Sequence, residues 1–180
     1  MTVLKTARKF QIINTLLSDQ ALLPAKNALD VSVGTGYSTT RLARAALNAK
    51  VTGIEDAYQH TANRARNNLF KRQVSSRANV ISADITKMPF DSDSFDVITG
   101  SYSKQTQLFT HSRKQRQAIC DEIYRLVKKD GSGSILMVNT RRQINKYAVL
   151  FSSKPELDVY IADPEMRIKF GYRAMKIIVR

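Results

Sequence analysis

Residues 28–39 read ALDVSVGTGYST, and this stretch decides the fold. A short apolar run carrying one acid, Asp30, leads through Gly34 and Gly36 into Ser38, Thr39 and a helical pattern from Arg41. That order is strand, tight turn, helix start. Glycine has no Cβ, so it adopts positive φ and lets a backbone approach a ligand closely, while the next helix offers unpaired N–H groups. A flat or polar ligand is expected there. A dinucleotide turn of the form G-x-G-x-x-G would need its third glycine at Thr39, so a nicotinamide or flavin site fits poorly.

Working outward, a second strand at 51–54 ends in Glu55 and Asp56. An acid at a strand end roughly 20 residues past such a turn can accept hydrogen bonds from both ribose hydroxyls. A third strand at 80–82 closes on Asp84 and Ile85. The Asp84 carboxylate can accept from the exocyclic amine of adenine, and the Ile85 N–H can reach a ring nitrogen. A fourth strand is expected over 94–99, with Phe95 entering the core.

Helices separate these strands. Leu42, Ala45, Ala46 and Leu47 mark one ending near Asn48, and residues 58–70 form the next. Ser112 followed by Gln115 is a capping box opening a helix through Ile119, Ile123 and Leu126. Upstream, Val3, Ala7, Phe10, Ile13 and Leu17 recur at helical spacing. Downstream, a helix at 144–151 precedes strands at 159–161 and 175–179. Strands alternating with helices predict right-handed crossovers and a doubly wound, mostly parallel sheet.

Composition narrows the class. The chain has 180 residues, 43% hydrophobic and 24% charged, as in a globular domain. No apolar run approaches the roughly 20 residues that span a bilayer, and Lys5, Arg8 and Lys9 interrupt the N-terminal pattern where a signal peptide would be apolar. A cytoplasmic location is expected, with no membrane span. The single cysteine, Cys120, sits within a helix and reads as a small buried hydrophobe rather than a nucleophile, and no cluster suggests a metal. The net charge of +14 favours anionic partners, nucleic acid among them, without bearing on the fold.

Four segments, LDVSVGTG, VTGIED, SADITKMPFDSDSFDVIT and EIYRLVKKDGSGSILMV, resemble in order and spacing the motifs of the class I S-adenosylmethionine-dependent methyltransferases. The set is most similar to a small-molecule subgroup that includes quinone and sterol methyltransferases. Ser32 stands where the D-x-G-x-G-x-G loop has its first glycine. Lys129 and Asp130 replace a Pro-Gly pair, and Gly131 is kept. The resemblance implies a three-layer Rossmann-like domain with seven strands, the last antiparallel. It also implies S-adenosylmethionine as cofactor, S-adenosylhomocysteine as product, and a cofactor site of Asp30, Ser32, Gly34, Thr35, Gly36, Glu55, Asp56, Asp84 and Ile85. One domain is expected over 1–180: an N-terminal helix over the site (1–24), a cofactor-binding core (25–140), and a C-terminal helix with an edge hairpin (141–180).

The family places its acceptor opening after the fourth strand, near Tyr102, Ser103 and His111. Tyr102 and His111 are the candidates for wall or base there, although a methyl already activated by a sulfonium needs a base only when the acceptor must lose a proton. The sequence Thr99-Gly100-Ser101-Tyr102 differs from the N-P-P-Y of enzymes acting on exocyclic base amines, and no Pro-Cys nucleophile or magnesium-type Asp cluster is present. Three readings follow: a methyltransferase for a small acceptor, an RNA or nucleoprotein methyltransferase suggested by the charge, and a non-enzymatic binding module suggested by Ser32 and the Lys129-Asp130 turn. The sequence leaves the oligomeric state open.

Overall fold

The computed structural model describes Leu22 and residues 24–31, 33–55, 59–101, 112–161 and 172–180. The helix expected near the N-terminus lies outside these residues, as do Ser32, Asp56, Tyr102, Ser103 and His111. The strands are β1 (Asn27–Asp30), β2 (Lys50–Glu55), β3 (Ala78–Ser82), β4 (Val97–Ser101), β5 (Ser134–Thr140), β6 (Leu157–Ile161) and β7 (Tyr172–Val179). The helices are α1 (Tyr37–Ala45), α2 (Gln59–Lys71), α3 (Arg113–Leu126) and α4 (Arg141–Ser152).

All seven strands form one sheet in the order β3-β2-β1-β4-β5-β7-β6. The β1 strand pairs in parallel with both β2 and β4, so the strand order reverses beside it. A crevice therefore opens at the carboxyl ends of β1 and β4, where open α/β sheets bind ligands. Strand β7 runs antiparallel to β5 and β6, as expected of the last strand.

Period-two alternation sends side chains to two cores. On one face Leu29, Ile98, Ile135 and Met137 meet Ile119 and Ile123 of α3 and Tyr147 and Phe151 of α4. On the other, Ala28, Val51, Leu136 and Val138 meet Leu42 and Ala43 of α1 and Ala62, Ala65 and Leu69 of α2. Cys120 is fully buried on the α3 face, and burial pushes its thiol pKa up, in keeping with a structural residue. The capping box opens α3: Ser112 Oγ accepts from the Gln115 N–H at 3.2 Å, and Gln115 Oε1 accepts from the Ser112 N–H at 3.0 Å.

The fourth strand begins later than the pattern suggests, at Val97. Phe95 does enter the core, packed edge-on against Phe90 with ring centroids 5.0 Å apart, but its backbone makes only an isolated bridge to Val127. Asp96 explains the break. Its carboxylate turns to the amino ends of the strands, where Oδ2 accepts the Lys26 and Asn27 N–H groups at 2.8 Å each and Oδ1 takes Lys128 Nζ at 2.6 Å.

The altered turn after α3 lies at this same end. Asp130 Oδ1 accepts from the Ser132 N–H at 2.9 Å, Gly131 takes a φ of 82°, and a Cβ at Gly133 would fall 2.1 Å from the Lys128 carbonyl oxygen. An aspartate-closed turn thus replaces a proline-closed one. Because this turn feeds the amino end of β5, its departure from the family pattern leaves the glycine turn untouched.

Candidate functional site

The glycine turn is held from three directions. From below, Asp30 is fully buried and its Oδ2 accepts from the Ser38 and Thr39 hydroxyls at 2.7 Å each, tying the end of β1 to the first turn of α1. From the side, Asn68 Nδ2 of α2 donates to the Thr35 carbonyl at 2.9 Å. From β2, Glu55 is also fully buried, and its Oε2 accepts from the Gly34 N–H at 2.9 Å. The acid and the turn singled out separately in the sequence therefore meet.

Both glycines are required by conformation. Gly34 takes a φ of 52° and Gly36 a φ of 80°, the left-handed region that side chains disfavour. Gly36 is the N-cap of α1 and lies so near α2 that a Cβ would sit 3.0 Å from the Ala65 carbonyl oxygen. A third glycine, inside the VTGIED segment, matters as much. A Cβ on Gly53 of β2 would fall 2.4 Å from Val33 Cγ2, so the empty space at Gly53 seats the residue before Gly34.

Asp84 follows β3 and is exposed. Its Oδ1 accepts from both the Thr86 N–H and the Thr86 hydroxyl at 2.7 Å. These bonds hold its pKa below the usual carboxylate range, so the group is an anion at neutral pH. Ile85 is buried in the α3-side core and anchors the segment.

The turn after Asp84 is latched by α3. Glu122 Oε1 accepts from the Met88 N–H at 2.6 Å, while Arg125 pairs with Glu122 at 2.7 Å and donates to the Phe90 and Met88 carbonyls at 2.8 and 3.2 Å. The hydrogen bonds from Arg125 outweigh the burial of Glu122 and lower its pKa. In the EIYR signature, then, the acid and the arginine clamp the 88–90 turn rather than touch a ligand. Toward the carboxyl end of β5, Asn139 is fully buried, and its Nδ2 has no hydrogen-bond partner among the described residues.

Sequence reasoning named Asp30, Gly34, Thr35, Gly36 and Glu55, which the structure brings together, and Asp84 and Ile85, which follow the neighbouring strand. It missed Gly53, Asn68 and Asn139. Only Gly53 carried a signal, as a glycine inside a strand, which marks a close approach.

The model of the methyltransferase domain family matches residues 28–131, and no curated protein sequence gives a significant match. Among solved structures, YcgJ from Bacillus subtilis superposes with a TM-score of 0.69 at 16% identity, over 94% of this chain and 99% of that one. A SAM-dependent methyltransferase from Aquifex aeolicus gives 0.69 at 14% identity, over 93% and 97%. The [4+2]-cyclase SpnF gives 0.70 at 16% identity, over 93% and 79%. At such identities the likeness shows the fold, and the presence of a cyclase among these structures illustrates how one fold hosts different reactions.

Proposed function

Since this chain belongs to the methyltransferase domain family, an enzyme family whose methyl donor is S-adenosylmethionine, we propose that it methylates a small-molecule acceptor from a cofactor seated on the Gly34–Gly36 turn. One observation carries the reading: the buried bond between the Gly34 N–H and Glu55 Oε2, which places a carboxylate beside a turn open to close approach. The donor set suits the cofactor. A carboxylate accepts the two hydroxyls of a ribose, glycines without Cβ atoms leave room for the methionine end, and Asp84, anionic and exposed, has Oδ2 for the adenine amine. Thr35 and Gly36 supply backbone to the same turn, and Asp30 holds its shape from beneath.

When bound, S-adenosylmethionine supplies a methyl made electrophilic by its sulfonium. The chain's part is to orient the donor, admit the acceptor from the β4–β5 side and exclude water, which can supply several kcal/mol of the barrier reduction through positioning. Held by the Gly34–Gly36 turn and Glu55, the cofactor would supply that methyl to a nucleophilic atom of the acceptor and would leave as S-adenosylhomocysteine. Any proton lost by the acceptor leaves to water or to a base, for which Tyr102 and His111 remain our candidates. We place the enzyme in the cytoplasm.

A two-stage measurement tests this. Calorimetric titration with S-adenosylhomocysteine establishes the site, and transfer of labelled methyl to a panel of small hydroxyl, amine, thiol and carbon acceptors establishes the class. Transfer to RNA with none to the panel would overturn the small-acceptor reading while leaving the cofactor site standing.

A further inference from the structure

The helical layer formed by α1 and α2 has a charge pattern that methyl transfer does not use. Residues 31–83 contain eight Lys and Arg against two acids, Glu55 and Asp56, both at the cofactor end of β2. Neither α1 nor α2 contains an acid. The ion pairs among the described residues all lie elsewhere, on Glu122, Asp96, Asp93, Asp121 and Asp158. Among the described residues, none of the cations of this layer pairs with a carboxylate.

Several of these guanidinium groups are nevertheless fixed. Arg77 donates to the Ala43 carbonyl at 2.8 Å and to the Leu47 carbonyl at 3.0 Å, closing the end of α1. Arg44 donates to the Arg72 carbonyl at 3.2 Å, and Arg72 lies over the Tyr37 ring, 5.4 Å from its centroid. Neutral carbonyls and a ring leave the positive charge uncancelled, and a guanidinium with five N–H donors keeps some for another acceptor. Arg64 and Lys71 are both exposed. Among these cations stands Phe70, 74% exposed at the end of α2.

We propose that this face binds single-stranded RNA. Immobilised arginine forks match phosphate oxygens, a cationic surface tracks a phosphodiester backbone, and an exposed aromatic ring amid the cations offers a platform on which an unpaired base stacks. A membrane would need a continuous apolar side. Here Leu42, Ala43, Ala62, Ala65 and Leu69 are spent on the core, leaving Phe70 and Leu47, among the described residues, as the large apolar side chains exposed on this layer. The face lies on the opposite side of the sheet from α3 and α4, so it holds RNA without requiring that RNA be the methyl acceptor.

The test is fluorescence anisotropy of the full chain with a labelled oligouridylate of about 20 nucleotides, from about 50 to 200 mM salt. The Arg64→Gln/Lys71→Gln double variant should bind roughly tenfold more weakly, with the log–log salt slope reduced by about 1.4, the value for two lost contacts to a single strand. Phe70→Ala should lose about fivefold or more. A control with the same charge change on α3, Arg113→Gln/Lys114→Gln, should stay within about twofold, and S-adenosylhomocysteine affinity should be unchanged in all. Three results would overturn the proposal: equal loss in the α3 control, which would make net charge the cause; unchanged binding in the α2 variants; or binding to anionic phosphatidylserine vesicles with none to the oligonucleotide.

Discussion

The two ends of the sheet use buried carboxylates in opposite ways. At the amino ends, Asp96 meets an ammonium and two backbone N–H groups, and its function is closure. At the carboxyl ends, Asp30 takes the Ser38 and Thr39 hydroxyls and Glu55 takes the Gly34 N–H, so both bond to the glycine turn and the helix start behind it. An acid tied to a lysine is spent on holding the fold, because the ion pair and the hydrogen bonds use the charge that a ligand would need. An acid bonded to the glycine turn shapes a loop instead, the one on which the proposed cofactor would sit. On the proposed function, stability and binding are thereby separated along the length of the strands.

The sharpest way to break that separation is at Asp96. Asp96→Ala strands Lys128 and two backbone N–H groups, and should cost about 2–4 kcal/mol of stability, lowering Tm by roughly 5–15 °C for a chain of this size. Cofactor affinity of the folded fraction should stay within about twofold. The pH dependence has a definite sign. Burial raises the Asp96 pKa, but the Lys128, Asn27 and Lys26 hydrogen bonds outweigh it and the net shift is downward. A carboxylate whose folded pKa is depressed contributes stability above its unfolded value of about 3.9, and loses it as pH falls through the folded value. The stability gap between the wild type and Asp96→Asn in urea titrations should therefore be full near neutrality and shrink steadily below about pH 4.

The next effect should join the two ends. Gly53→Ala places a methyl against Val33, and overpacking of this kind costs about 1–3 kcal/mol. Because Val33 adjoins Gly34, the same substitution should weaken S-adenosylhomocysteine binding, whereas Asp96→Ala should not. A Gly53→Ala protein that melts lower yet binds the cofactor normally would show that the turn is seated independently of β2.

The smallest effect is expected at Ser32. With Gly34 and Gly36 supplying the positive-φ positions, Ser32→Gly should change cofactor affinity by less than about fivefold, under 1 kcal/mol. A gain of about fiftyfold in direct titration would mean that the serine impairs the loop and would revive the reading of a weakly binding module.

What was legible in the sequence is local. The glycine turn, the capping box at Ser112 and the alternation of strand and helix each need only a few neighbouring residues, and the structure contains all three. The antiparallel last strand came from the family resemblance. The displaced start of β4 was illegible, since Asp96 leaves the strand pattern for partners some 70 positions away. Gly53 carried only the general signal of a glycine inside a strand, and its partner was illegible because the side chain that fills its space belongs to another strand's turn. Glu122 and Arg125 were recognised as a signature, but their work on the 88–90 turn depends on a contact between α3 and the segment after β3.

The central claim is that Glu55 holds the cofactor, and calorimetric titration of S-adenosylhomocysteine into wild type and Glu55→Ala tests it most directly. Losing a charged acceptor for ribose hydroxyls should cost about 1.5–3 kcal/mol, which raises the Kd roughly ten- to a hundredfold. An unchanged Kd in a folded Glu55→Ala protein would contradict it and remove Glu55 from the site.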